Sequence, residues 1–374
     1  MVRFLHTSDW HMGLSSVQLG EKASEARKIR FQTASRIADI ARSEKVEFVI
    51  LAGDTFDSNN VDDFVVRSTI DLLNRFAPIP VLMLPGNHDP LTAASVWDRS
   101  LWKHAGSHIN LLVEQAETRV TEDTFVYPCP VSQKLTSKDP TSWIPERRDD
   151  DIVRIGIAHG ALSNVPGALN FPIPVEREKI SGLDYLALGD WHSFHITGKT
   201  VYSGTHEQTK FGESEAGNVL IVDIEEPSST PIIDKRHVGM LDWKEYSVHV
   251  IDETDVQTLR SKILSSSSLS SEILRLAVTF DRDLSDEALR SLVSLRSELV
   301  ENAFYVDWPE ESLQIPTGQV TPLPPGMLTD IQTILLSLYD GREMEDFKKF
   351  SDVDKMIVQE ALTLLRRLST EGTN

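Results

Sequence analysis

Five apolar runs in this chain each end in a short polar cluster, and that alternation limits the possible folds more than any other feature. The runs are residues 3–6, 47–52, 80–85, 152–158 and 185–188. The clusters are Asp9-Trp10-His11, Gly53-Asp54-Thr55-Phe56-Asp57, Gly86-Asn87-His88-Asp89, Ala158-His159-Gly160 and Gly189-Asp190-Trp191-His192. A short, nearly continuous apolar run reads as a strand buried on both faces. Residues 24–43 lie between the first two runs and are helical by period, with Ala26, Ile29, Ile37, Ile40 and Ala41 near 3.6 spacing. Residues 62–76 repeat the pattern before the third run. A strand–loop–helix rhythm of this kind means helices packed on the faces of a sheet, an α/β class. In such sheets, sites form at the carboxyl ends of the strands, where all five clusters fall.

The rest of the chain changes character. Short strands are expected at 108–113 and 117–127, followed by a polar loop over 132–151. Further strands are expected at 201–203, 218–224 and 231–238. A boundary near 240–245 closes a first domain, residues 1–240. Residues 245–310 read as a small α+β unit: strand 246–251, helix 255–264, strand 273–281, helix 285–300 and strand 303–307. Residues 317–325 hold three prolines and read as a linker. A C-terminal segment, 326–370, carries two amphipathic helices, 327–339 and 351–368, around the charged loop 340–350. Their apolar faces are Leu328, Ile331, Leu335 and Leu336, then Val353, Met356, Ile357, Leu362 and Leu365. Such a hairpin either packs on its own domain or offers a docking face to a partner.

Composition narrows the function. There are 37 basic against 57 acidic residues, a net charge of −20. No basic tail or stripe is present, which argues against non-specific nucleic-acid binding through this chain's own lysines and arginines. It leaves room for a polyanion held through bound cations, whose ligands are acidic residues. The single cysteine, Cys129, excludes an internal disulfide and a cysteine zinc site. No apolar run approaches the roughly 20 residues of a membrane span, and the N-terminus has no signal-peptide pattern. The chain reads as soluble and cytoplasmic.

The five clusters supply carboxylate oxygen, amide oxygen and imidazole nitrogen. Each taken alone has an ordinary explanation: His159 as a hydrogen-bonded loop residue, Gly86 to Asp89 as a turn, Asp190 as a helix cap. Five in succession, each after a buried strand, suit two divalent cations about 3.5–4 Å apart that share a carboxylate.

Taken in order, Asp-x-His, Gly-Asp-x-x-Asp, Gly-Asn-His-Asp, a lone His and Gly-x-x-His resemble the signature of calcineurin-like metallophosphoesterases. The opening from Leu5 to Gly13, and Tyr202-Ser203-Gly204-Thr205-His206-Glu207, are similar to SbcD-type DNA repair nucleases. The resemblance covers residues 1–225; for 245–308 it rests on position and element order. It implies a four-layer αββα sandwich with a small α+β capping domain and C-terminal helices. It implies that Asp9, His11 and His192 hold one metal ion, that Asn87, His159 and Asp190 hold a second, and that Asp54 bridges both. His88 would act on the leaving oxygen as proton donor or transition-state stabiliser, oriented by Asp57. The ions would be Mn2+ or Mg2+, with manganese first. Two departures stand out: Asp190 replaces the family's histidine, and His206 and Gln208 replace its prolines. His6, His195 and His206 read as supporting or structural residues.

The function expected from this resemblance is a two-metal phosphodiesterase, a DNA exo- or endonuclease component of a repair or defence complex. Its partners would be DNA and an SbcC-type coiled-coil ATPase or another P-loop ATPase; a homodimer is allowed, and a membrane is not expected. Two alternatives remain at this stage: a phosphodiesterase or phosphatase for a small nucleotide, and a non-catalytic binding protein that retains the fold.

Overall fold

A computed structural model of the chain describes residues 1–148, 151–164, 170–281, 284–313 and 327–339, and positions 357, 358, 361, 362 and 365. In chain order the strands are β1 (Val2–Thr7), β2 (Phe48–Ala52), β3 (Val81–Leu84), β4 (Ile109–Leu111), β5 (Thr118–Thr121), β6 (Thr124–Cys129), β7 (Val153–His159), β8 (Tyr185–Gly189), β9 (His195–Thr197), β10 (Thr200–Tyr202), β11 (Asn218–Ile224), β12 (Ile232–His237), β13 (Asp242–Val250), β14 (Glu272–Phe280) and β15 (Tyr305–Asp307). The α-helices are α1 (Ala23–Ser43), α2 (Asp63–Asn74), α3 (Arg177–Ile180), α4 (Glu253–Leu264), α5 (Asp286–Asn302) and α6 (Met327–Tyr339). The chain divides into two compact units; the first comprises Met1–Glu245, Ser268–Leu274 and Ala303–Tyr305.

Two six-stranded sheets build the first unit, in the orders β12-β11-β1-β2-β3-β4 and β5-β6-β7-β8-β10-β9. Strands β1 to β4 run parallel, as do β6, β7, β8 and β10. The alternation of side chains, with both faces buried, explains why β2 and β3 are apolar at every position. Val2, Phe4, Phe48, Ile50, Ala52, Leu82 and Leu84 face the second sheet, in one core with Val126, Val153, Ile155, Tyr185 and Val201. Leu5, Val49, Leu51, Val81 and Met83 face the other way, onto Ile37 and Ala41 of α1 and Val66, Ile70 and Leu73 of α2. Each fully buried side chain of this size stabilises the fold by roughly 1.5–3 kcal/mol. Phe4 and Phe48 stack at 5.2 Å, and Tyr185 meets Phe4 edge-on at 5.3 Å. Beside them His6 Nδ1 and the Tyr185 hydroxyl lie 2.9 Å apart, a polar tie between the two sheets.

The outer face of the second sheet is covered differently from the first. Tyr127, Ile144, Leu162, Ile173, Leu183 and Leu186 form its core. Among the described residues, the covering layer is irregular chain with the single turn of α3. Buried polar contacts hold it in place. Asp184 accepts from Arg147 Nη2 at 2.5 Å and from the Arg154 amide at 2.9 Å. The Arg154 guanidinium lies 4.6 Å from the Tyr127 ring and donates to the Pro145 carbonyl.

Two local expectations change. Residues 117–127 do not form one strand: β5 and β6 make an antiparallel hairpin that turns at Glu122-Asp123. The short strand β9 follows the last polar cluster and pairs antiparallel with β10.

In the second unit, α4 and α5 carry buried stripes: Val256, Leu259 and Ile263, then Ala288, Leu292, Leu295 and Leu299. The Asp252 carboxylate caps α4 by accepting from the Thr254 and Asp255 amides, and Arg260 pairs with Glu298 of α5. Strands β13, β14 and β15 form a three-stranded sheet in that order. The proline-rich linker 317–325, the loop 340–350 and positions Val353 and Met356 lie outside the described residues. Of the expected second C-terminal helix only positions 357, 358, 361, 362 and 365 are described; there Val358, Leu362 and Leu365 are buried and Ile357 is exposed. No helix among the described residues is long and apolar enough to cross a membrane.

Candidate metal centre

Parallel pairing brings the carboxyl ends of β1, β2 and β3 to one edge of the first sheet, and those of β7 and β8 to one edge of the second. The loops after β1 and β2 are then joined by main-chain bonds. The Asp9 amide donates to the Gly53 carbonyl (3.1 Å), His11 to Asp54 (2.9 Å), Met12 to Thr55 (2.8 Å), and Asp57 back to Met12 (3.1 Å). Left-handed φ angles at Asp9 (53°), His11 (43°), Asp54 (50°) and Asp190 (97°) turn these side chains inward. Non-glycine residues rarely adopt such values, and they cluster at functional sites. Gly53, at φ 94°, and Gly86 have no room for a Cβ: it would lie 2.2 Å from His159 Nδ1 at the first position and 2.1 Å from Asp54 Oδ1 at the second.

The side chains converge on Asp54. Its Oδ2 lies 3.7 Å from His11 Nε2 on one side and 3.3 Å from His159 Nε2 on the other. Its Oδ1 accepts from the His88 amide at 2.9 Å. His11 Nε2 and His192 Nε2 face each other at 3.0 Å. His159 Nε2 lies 2.7 Å from Asn87 Oδ1 and 3.8 Å from Asp190 Oδ1. Asp9 accepts from the Ser8 hydroxyl at 2.5 Å and from the Asp190 amide at 3.0 Å. Donor atoms of Asp9, His11 and His192 lie within 4.8 Å of one another, as do those of Asp9, Asp54 and His159 and of His11, Asp57 and His88. The residues singled out from the sequence are therefore brought together, with His88 at the exposed rim.

Asp57 meets His88 through a different group from the one expected. The Asp57 main-chain carbonyl lies 2.9 Å from His88 Nδ1. The Asp57 carboxylate lies instead 3.5 Å from Nδ1 of His11, a buried nitrogen with no hydrogen-bond partner.

Burial and neighbouring charge set the protonation of the metal-free site. Burial disfavours charge on His159, but the Asp54 carboxylate beside it, helped by Asp9 and Asp190, raises its pKa well above 6.5. Burial likewise opposes charge on Asp54, yet His159, His11 and His88 hold its pKa below the usual carboxylate value. His11 is lowered by burial, only partly offset by Asp57 and Asp54. His192 is raised despite burial, through its hydrogen bond to Glu213 and the charge of Asp9. Burial raises Asp190, against the pull of His159.

Several further residues support the site. Asp89 is fully buried and accepts from the Phe56 and Gly86 amides at 2.9 and 2.7 Å, which fixes the loop holding Asn87 and His88. Burial and the nearby Asp54 push its pKa up to about 7. Glu213 lies 2.6 Å from His192 Nδ1. The buried Arg30 guanidinium donates to the carbonyls of Trp10, Glu207 and Gln208, pinning the α1 side of the site. Glu207 accepts from Thr33 and from the Met240 and Leu241 amides. Of the remaining histidines, His206 is buried with Nε2 3.1 Å from the Arg30 carbonyl, and His195 is exposed with Nε2 3.0 Å from Thr197 Oγ1.

The donor set fits divalent cations. Imidazole nitrogens and carboxylate and amide oxygens converge from five loops, and His159 Nδ1 lies 3.0 Å from the Ala52 carbonyl, which leaves Nε2 as its ligand atom.

Comparison with known proteins agrees. A family model described as calcineurin-like phosphoesterase matches residues 2–211. Among curated proteins, the chain is 22% identical over 291 residues to a component of the nuclease SbcCD of Staphylococcus epidermidis, a match covering 70% of this chain and 76% of that one. It is 25% identical over 275 residues to the metallophosphoesterase YhaO of Bacillus subtilis, covering 68% and 65%. It is 34% identical over 91 residues to the DNA double-strand break repair protein Mre11 of Saccharolobus solfataricus, a match confined to 24% of this chain and 23% of that protein.

Proposed function

The chain belongs to the calcineurin-like phosphoesterase family, and from that premise we propose that it is a two-metal phosphodiesterase that cuts DNA ends or single strands. The observation that carries this reading is the position of Asp54, with Oδ2 between His11 Nε2 at 3.7 Å and His159 Nε2 at 3.3 Å. Asp9, His11 and His192 would hold one ion, Asn87, His159 and Asp190 the other, and Asp54 both. Divalent ions held there, manganese or magnesium by the oxygen-rich donor set, supply Lewis acidity to phosphate oxygens and lower the pKa of a water.

The chain's own residues orient and move protons. His88 is exposed, and a Nδ1–H donated to the Asp57 carbonyl leaves Nε2 free to hold or give a proton to a leaving oxygen. Asp89 keeps the loop that presents Asn87 and His88 in place through its two amide bonds.

DNA as substrate is supported by the names of two relatives, a nuclease component and a double-strand break repair protein. The name SbcCD also suggests the partner, an SbcC-type ATPase that would carry the basic surface this chain, at −20, does not supply. That same charge favours a second reading, hydrolysis of a small nucleotide, which needs no basic groove. One assay separates them: a labelled single-stranded oligonucleotide with Mn2+, with and without the partner, using the parent chain and Asp54→Asn. Degradation by the parent and background activity in the variant are expected. Hydrolysis of nucleotide phosphodiesters with an intact oligonucleotide in both conditions supports the second reading. Near-normal activity in Asp54→Asn rules out the shared carboxylate.

A further inference from the structure

We infer that Glu213 is a positioning residue for the metal centre: it fixes the tautomer and aim of His192 and so governs retention of the ion on the His11 side. The inference rests on the two-metal reading above. Glu213 is buried, 21 residues beyond His192 in the chain. Its Oε1 lies 2.6 Å from His192 Nδ1 and accepts from Thr209 Oγ1 at 2.8 Å. Its Oε2 accepts from the Thr209 amide at 2.8 Å and the Lys210 amide at 3.3 Å. Three of these four contacts come from its own loop. The carboxylate is thus held in place independently of the imidazole it serves.

The consequence for His192 follows from hydrogen-bond chemistry. A carboxylate can only accept, so Nδ1 must carry the proton and Nε2 must present its lone pair. Nε2 is the atom that faces His11 Nε2 at 3.0 Å. His159 reaches the same arrangement through a neutral acceptor, the Ala52 carbonyl. Glu213 adds charge as well as direction, which makes the imidazole a stronger donor to a cation.

Glu213→Gln separates the two roles a carboxylate could have here. The glutamine amide has one acceptor and one donor end. If its oxygen stays on His192, its NH2 group meets the Thr209 and Lys210 amides, donor against donor. If it rotates to keep those bonds, its NH2 group faces Nδ1 and enforces the opposite tautomer, with a proton on Nε2. Either way one ion is lost more readily, by about 10–100-fold in affinity, the usual effect of removing such a partner.

The test titrates the metal-free full-length chain with Mn2+, using calorimetry for affinity and stoichiometry and electron paramagnetic resonance for coupling between the ions. The parent is expected to bind two ions with a coupled spectrum. Glu213→Gln should hold one ion and show an isolated-ion spectrum at the same concentration. Glu213→Asp keeps the charge on a shorter arm and should recover part of the affinity. Two ions bound by Glu213→Gln with unchanged affinity overturns the inference. If that variant does not fold, Glu213→Ala decides in its place, and parent-like affinity there overturns it. A parent that binds fewer than two ions defeats the two-metal reading instead.

Discussion

Gly53→Ala puts the site's geometry at risk with one methyl group. The Cβ would lie 2.2 Å from His159 Nδ1 and 2.7 Å from its Cγ. An ordinary contact begins near 3.4 Å, so the imidazole must retreat by about 1.2 Å (3.4 − 2.2). His159 Nδ1 lies only 3.0 Å from the Ala52 carbonyl, and Nε2 lies 2.7 Å from Asn87 Oδ1. A shift of that size breaks the first contact and carries Nε2 away from Asn87 and Asp54. Misplacement of a reacting constellation by about 1 Å costs about 10²-fold in rate. The backbone adds its own penalty, because alanine at φ 94° is strained by roughly 1–3 kcal/mol. The expected variant is folded, less stable, and at least about 100-fold slower. The assay is Mn2+-dependent hydrolysis of a chromogenic phosphodiester, with a thermal melt to confirm folding. Activity within threefold of the parent, with two ions bound, would refute the packing argument.

The remaining expectations concern the proton, the metals and the odd ligand. His88→Ala should keep two bound ions and lose about 10²–10⁴-fold in rate; loss of an ion instead would place His88 among the ligands. His159 and His192 have raised pKa values in the metal-free protein, so each holds its proton to a higher pH than an ordinary imidazole. Imidazole ligands must be neutral, so metal binding should release protons, and affinity should rise by up to about tenfold per pH unit for each proton released. Calorimetry in two buffers of different ionisation enthalpy measures this, and zero proton release contradicts it. The sign for stability is opposite: the raised pKa of His159 stabilises the metal-free fold fully below about pH 6.5, and that contribution is lost as pH rises through the folded value. Asp190→His should shift metal preference towards zinc and lower the apparent pKa of the pH–rate profile, because it removes one carboxylate from the site. If neither changes, Asp190 does not touch a metal.

Much of this architecture could be read from local pattern. The run from Phe48 to Ala52 is buried on both faces, so every position had to be apolar, and the Gly53-Asp54 turn marked its end. Helix α6, Met327–Tyr339, follows the amphipathic period of 327–339. Residues 117–127 did not, because Glu122-Asp123 lacks the glycine or proline that usually signals a hairpin. Glu213 was missed, and Asp89, although part of the third cluster, was given no role, for a related reason. A carboxylate in a polar loop reads as solvated, and only the folded chain shows Glu213 beneath His192 and Asp89 on two amides. Asp57 shows a finer limit: spacing can place a residue beside His88 but cannot say whether its carbonyl or its side chain makes the contact.

The bonds that join the loops after β1 and β2 have a consequence for anyone who would re-engineer this chain. Four amide–carbonyl pairs, from Asp9–Gly53 to Asp57–Met12, continue the ladder beyond the end of the sheet. The two loops are therefore one mechanical part made from two stretches of sequence more than 40 residues apart. A loop transplanted from a relative into either position brings only half of a matched pair, and its partner's left-handed residues then lose these main-chain bonds. The smallest interchangeable piece is both loops together, with the strands that aim them.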